Sequence, residues 1–158
     1  MTEPRRAPLL AIIPPPVLFA ATFLAGWGVG WLDGSRPAWI RTAAAHWVGL
    51  ALLVAGAAVS AACVRLFVSR GTTVIPVGQP ARLVSNGAYA WSRNPMYVGL
   101  TAIYAGAALA LGQIWSLVLL PLPWAAANFV VIPFEEARLR ETFGQAYDDY
   151  RRRVRRWL

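Results

Sequence analysis

Residues Leu83 to Gly99 read LVSNGAYAWSRNPMYVG, and here glycine, aromatic, arginine and helix-start signals converge beside a long apolar run. Asn94 followed by Pro95 predicts a helix beginning at Pro95. Asn is a favoured N-cap whose side-chain oxygen accepts an orphan N–H, and proline at the first helical position gives up no needed donor. Gly87, Tyr89, Trp91 and Arg93 stand just upstream. A glycine-containing loop with two rings and a cation therefore meets the positive end of a helix dipole, a seat for an anionic group.

Working outward, the neighbouring runs decide the solvent. Of 158 residues 58% are hydrophobic and only 14% charged, and the apolar residues fall in runs longer than a soluble domain needs. The reading is an all-α integral membrane bundle. A span takes about 20 apolar residues, and four runs qualify or nearly qualify: Leu9 to Leu32, Ala43 to Val68, Met96 to Leu111, and Ile114 to Phe134. The third is short, which packing against a neighbour or a small tilt accommodates. Arg5 and Arg6 precede the first run, but it is longer than a signal-peptide core and no small-residue cleavage site follows Trp31. A retained helix is expected.

Pro14 to Pro16 must bend the first span or start it after an interfacial segment. Gly26, Gly28 and Gly30 in the first span, and Gly49, Gly56 and Ser60 in the second, predict close helix contacts. The Asp33 to Trp39 stretch, DGSRPAW, reads as a tight turn between antiparallel helices.

The net charge of +8 comes from 15 basic residues, all arginine. Their placement argues for sorting across a bilayer rather than for nucleic acid. With both termini in the cytoplasm only Arg36 and Arg41 lie outside, which predicts that orientation, in a bacterial inner membrane. Cys63 reads as a buried thiol, and His46 as an interfacial or hydrogen-bonded side chain. No metal site is expected, since no second ligand type stands near His46. Ser69 to Ser92 is the longest polar connection; Val74, Ile75, Val77, Leu83 and Val84 predict an ordered, functional loop folded against the membrane face.

Only Gly112 and Gln113 separate the last two runs, so they form a tight helical hairpin. Its inner ends meet: Arg93, Asn94 and Tyr97 approach Pro133, Phe134, Glu135 and Glu136 across about forty positions of sequence. Beyond it, Leu139, Phe143, Tyr147, Tyr150 and Val154 recur at helical spacing among arginines, predicting an amphipathic helix on an anionic membrane surface. The expected organisation is a single membrane domain, 1–158, with a helix pair (1–68), a cytoplasmic loop (69–95), the hairpin (96–134) and a C-terminal helix (135–158).

Two adjacent carboxylates at the end of an apolar span are costly and are kept for a reason. On a helix Glu135 and Glu136 point about 100° apart, so one faces the bundle while the other faces solvent or pairs with Arg93, Arg138 or Arg140. A salt-bridged, solvated helix end is the plain alternative. An arginine, a helix N-terminus, aromatic rings and a carboxylate suit a zwitterionic ligand carrying a cation near its reactive centre. Phosphate-binding glycine loops and Ser/His/Asp or Cys/His sets are missing, which removes support for hydrolysis and phosphoryl transfer.

These residues carry a resemblance. LVSNGAYAWSRNPMYVG, followed one hairpin later by EEARLRETFGQAYDDYRRRVRRW, resembles the integral-membrane methyltransferases of the isoprenylcysteine carboxyl methyltransferase and phospholipid methyltransferase group. That pattern is Gly-x-Tyr-x-x-x-Arg-His-Pro-x-Tyr, then Glu-Glu-x-x-Leu, then Phe-Gly-x-x-Tyr-x-x-Tyr. The match runs from about Gly71 to Trp157, and the two ordered motifs together are far more specific than either alone.

The resemblance implies S-adenosylmethionine as methyl donor, with S-adenosylhomocysteine as product, bound at the cytoplasmic base of the last two helices. A hydrophobic or lipid-like acceptor (an isoprenylcysteine-like carboxylate, a phospholipid amine or a thiol) enters from the bilayer. It assigns Gly87, Tyr89, Arg93, Asn94, Pro95, Tyr97 and Glu135 to donor binding, and Arg93, Glu135 and Glu136 to the reacting groups, with Glu135 facing inward. Asn94 departs from the family's histidine, and Val131 stands where the prenylcysteine enzymes have an arginine, which puts carboxyl methylation in doubt. A non-catalytic four-helix membrane protein, a partner subunit or small transporter, is the alternative from a different class.

Overall fold

The computed structural model describes residues 8–35, 37–71 and 82–158, and these form helices and turns with no strand among them. The first helix, α1 (Leu9–Ile12), is one turn long and ends just before Pro14. The main helix, α2 (Pro15–Asp33), then starts with Pro15 and Pro16 in its first turn, where a missing N–H costs nothing. The triple proline thus starts the span after a short preceding segment. Gly34, at φ 69°, closes α2 by donating its N–H to the Gly30 carbonyl at 3.1 Å.

After a 3₁₀ turn (Ala38–Arg41), α3 (Ala43–Ser69) is capped by Thr42, whose Oγ1 accepts from the Ala45 N–H at 3.2 Å. A second 3₁₀ turn (Gly87–Ala90) leads into α4 (Pro95–Ala110), which begins at Pro95 as the Asn-Pro pair predicts. Gly112, at φ 64°, makes the tight turn into α5 (Ile114–Phe143). The last helix is α6 (Gln145–Arg153).

Three helices, α2, α3 and α5, are long and apolar enough to cross a membrane; α4, with 16 residues, is shorter. At 1.5 Å per residue α4 reaches about 24 Å, short of a hydrocarbon core of about 30 Å. Large apolar side chains such as Leu24, Val54, Leu122 and Phe129 stand exposed on the outer faces. That is the expected surface of a bundle whose solvent is lipid.

The bundle is drawn together by small residues. A Cβ built at Gly56 of α3 would sit 2.6 Å from the Gly99 carbonyl oxygen, and one at Gly106 of α4 would sit 2.5 Å from the Leu53 nitrogen. The two backbones touch, so α3 and α4 pack as one unit. On the other side Gly26 of α2 lets Ser116 of α5 approach and bond the Phe23 carbonyl through Oγ at 2.9 Å. Gly28 faces open space instead of a helix, because the contact stripe follows the 3.6-residue period through Gly26 and Gly30.

His46 lies at the end of α3 far from Arg93 and meets the Ala110 carbonyl at 2.9 Å through Nδ1, as a hydrogen-bonded histidine should. Cys63 is a buried free thiol packed with Val84 and Tyr89. Of the loop residues expected to fold against the membrane face, Val84 is buried, while Val74, Ile75 and Val77 lie outside the described residues, as do Arg5, Arg6 and Arg36.

The C-terminal third differs in detail from the expected single surface helix. The fourth span's helix runs on through Glu135 and Glu136 to Phe143, with a π-helical stretch at Ala127–Val131. Gly144, at φ 51°, then breaks it, and the amphipathic helix is the shorter α6. Val154 turns extended, and the last residues fold back beneath the hairpin.

Candidate active site

The end of the hairpin away from Gly112 is assembled by α4, α5 and the C-terminal tail. Pro95 starts α4 and leaves the Asn94 carbonyl to accept from the Tyr97 and Val98 N–H groups at 3.1 and 3.2 Å. The Asn94 side chain does not cap the helix as expected. Its Nδ2 donates to the Arg156 carbonyl at 3.0 Å, because the returning tail offers a buried acceptor there. Ser92 Oγ accepts from the Asn94 N–H at 3.1 Å and donates to that same carbonyl at 3.2 Å. The Arg93 N–H donates to the Arg155 carbonyl at 2.9 Å.

The two glutamates separate as their helical phase requires. Glu135 turns toward α4 and accepts from the Tyr97 hydroxyl at 3.1 Å. Glu136 takes arginines: Arg93 Nη2 stands 3.3 Å from its Oε1, while Arg156 reaches Oε1 from Nε at 3.2 Å and Oε2 from Nη2 at 2.6 Å. Arg93 and Glu136 are only 10% and 14% exposed at their side chains, so this is a largely desolvated network rather than a surface pair. Arg140 pairs instead with Asp148, and Arg138 lies over the Phe134 ring.

Arg93 is not fully used. Its Nε and Nη1 are buried and have no hydrogen-bond partner among the described residues. A buried donor left unmade costs about 1–3 kcal/mol, more when charged. The two lie on different edges of the guanidinium, each next to Nη2, so each edge still offers a free donor to an anionic group such as a carboxylate.

The walls are tyrosines. Tyr147 is 2% exposed beside Arg93. Burial, then the Glu136 charge, pushes its phenol up to about 12, against the pull of Arg93 and Arg151. Tyr150 donates its hydroxyl to the Tyr89 carbonyl at 2.8 Å, and burial, then Tyr147, raises its pKa. Tyr89 itself packs edge-on to Phe67 with its hydroxyl toward Cys63; burial, then Cys63 and Glu135, drives its pKa up. Gly87, at φ 60°, starts the turn that carries Tyr89.

Arg93, Asn94, Tyr97, Glu135 and Glu136 thus come together at one end of the bundle, with Pro95 behind them and Gly87 and Tyr89 forming one flank. Sequence reasoning missed Ser92, Arg156 and Trp157. Trp157 stacks on Trp124 and donates from Nε1 to Asn128 Oδ1 at 3.1 Å, anchoring the tail on the π-helical stretch of α5. The only signal was a tryptophan and an apolar Val154 set among arginines, which a surface helix explains equally well.

Comparison with curated proteins and with solved structures found no match. A family model, described as phospholipid methyltransferase, matches residues 44–146. That stretch takes in nearly all of α3, the whole of α4 and α5, and Arg93, Tyr97, Glu135 and Glu136; it leaves out α1, α2 and the tail. With the match covering well over half of its residues, together with the membrane-crossing helices, the chain belongs to the phospholipid methyltransferase family of membrane methyltransferases.

Proposed function

We propose that this chain transfers a methyl group from S-adenosylmethionine to a hydrophobic, lipid-like acceptor at the cytoplasmic end of the bundle. The observation that carries the reading is the pair of buried Arg93 donors, without a partner among the described residues, beside the Tyr97–Glu135 pair. The donor molecule has a carboxylate and two cationic centres, and the residues present fit it: an arginine with two buried free donors and a carboxylate held nearby. When bound, it supplies an electrophilic methyl group on a positively charged sulfur.

Arg93 takes the donor's carboxylate through one of its free donors, Nε or Nη1. Glu135, held by Tyr97, attracts cationic groups, and for an amine acceptor it receives the proton that must leave before methylation. A carboxylate or thiolate acceptor needs no such base. Alignment and exclusion of water then supply most of the acceleration. Tyr147, Tyr150 and the tail pack against this end of the bundle, and a lipid-like acceptor reaches it along the apolar faces of α4 and α5.

The cytoplasmic assignment rests on charge: Arg65, Arg70, Arg82, Arg93 and the arginines after Phe134 gather at this end, with Arg41 at the other. Calorimetric titration of the purified protein with S-adenosylhomocysteine tests the reading. Binding that vanishes in Arg93→Ala and Glu135→Ala supports it. Absence of heat and of any thermal shift at millimolar ligand defeats it.

A further inference from the structure

We infer that Arg156, in the tail outside the family-matched stretch, is a positioning residue that keeps Arg93 open for the donor's carboxylate; the inference rests on the donor seat proposed above. A lone arginine beside a carboxylate settles into a bidentate fork, two parallel N–H···O bonds that use up one edge of the guanidinium. Arg93 does not do this. It meets Glu136 at a single point, Nη2 to Oε1 at 3.3 Å, and leaves Nε and Nη1 without a partner among the described residues.

The reason is visible on the other side of Glu136. Arg156 occupies both carboxylate oxygens, Nε on Oε1 at 3.2 Å and Nη2 on Oε2 at 2.6 Å. Arg156 holds the fork on Glu136, and Arg93 is left with a single contact to the shared Oε1. Arg156 is itself fixed by contacts that do not involve its side chain: its carbonyl accepts from Ser92 and Asn94, the Arg155 carbonyl accepts from the Arg93 N–H, and Trp157 is pinned to Asn128 and Trp124.

The consequence is specific. Removing the Arg156 guanidinium leaves the tail seated but frees Glu136, which then competes with the donor's carboxylate for Arg93. Donor affinity falls although no residue touching the donor has changed. Removing the Glu136 charge as well takes away the competitor, and affinity returns. A purely structural role for the tail gives the opposite pattern, since deleting two partners of one network harms it more than deleting one.

The test is calorimetry with S-adenosylhomocysteine on the full chain in lipid nanodiscs, with melting temperature measured in parallel. The wild type binds; Arg156→Ala raises Kd by about tenfold or more, the scale of one charge-assisted hydrogen bond; the double variant Arg156→Ala/Glu136→Gln recovers most of the loss. Arg156→Lys, which can hold one Glu136 oxygen but not both in a fork, lies between, and it decides the matter should Arg156→Ala fail to fold. Wild-type affinity in either single variant, or a double variant no better than Arg156→Ala, overturns the inference. A wild type that binds nothing removes the donor seat itself, a result seen before any variant is made.

Discussion

Arg93→Lys separates charge from geometry at the centre of the site. Lysine keeps the positive charge near Glu136 and keeps the backbone N–H that donates to the Arg155 carbonyl at 2.9 Å. It loses the planar guanidinium, so the free Nε and Nη1 donors go and one ammonium must serve both Glu136 and the donor's carboxylate. A hydrogen bond to a charged group is worth about 1.5–3 kcal/mol, and losing one such bond weakens donor binding by about 10- to 150-fold. Stability moves the other way or not at all. The substitution removes two buried donors with no partner among the described residues, each costing about 1–3 kcal/mol, while Glu136 keeps its Arg156 partner. The assay is calorimetric titration with S-adenosylhomocysteine alongside a detergent melting curve. Weaker binding at unchanged or higher melting temperature is expected. Wild-type affinity in Arg93→Lys, or a loss of binding that merely follows a fall in melting temperature, refutes the reasoning.

Gly106→Leu should lower the melting temperature sharply, with a loss of about 3 kcal/mol or more, because its Cβ would meet the Leu53 nitrogen at 2.5 Å; Gly28→Ala, with open space around it, serves as the neutral control. At alkaline pH the raised Tyr147 phenol predicts a loss of stability: below about 10, where the unfolded phenol is still protonated, its contribution is fully present, and it is lost as pH rises through about 12. Tyr147→Phe should make the fall in melting temperature between those values shallower, with Tyr89 and Tyr150 carrying the rest, and an unchanged alkaline slope contradicts the assignment. Reporters fused after Leu158 and inserted at Arg70 should both read cytoplasmic, and either one found on the far side overturns the orientation.

What was legible in the sequence were the features that local chemistry dictates. The Asn-Pro start of α4, the Gly112–Gln113 turn and the small-residue faces at Gly49, Gly56 and Ser60 each follow from backbone or packing rules that need no partner to be known. The hairpin then made the meeting of Arg93 and Tyr97 with Glu135 and Glu136 a geometric necessity, and the 100° phase between the glutamates separated their partners.

The rest depended on where a distant segment returns. Asn94 has the composition of a side-chain cap, yet the Arg156 carbonyl captures its amide. Backbone carbonyls of the tail are the acceptors for Arg93, Ser92 and Asn94, and a carbonyl carries no mark of its residue type. Arg156 looked like one of many surface arginines because charge patterning alone does not distinguish a solvated cation from one folded beneath a helix end. The helix break at Gly144 was visible only as a glycine within an otherwise continuous amphipathic pattern.

The central claim is methyl transfer at the Arg93–Glu135 end of the bundle. It is tested most directly by incubating membranes containing the protein with S-adenosylmethionine labelled in the methyl group and counting label in the extracted lipid, protein and small-thiol fractions. The account predicts label in one hydrophobic fraction from wild-type membranes and a fall to background with Arg93→Ala. Equal incorporation with and without the protein, or full incorporation by Arg93→Ala, contradicts it.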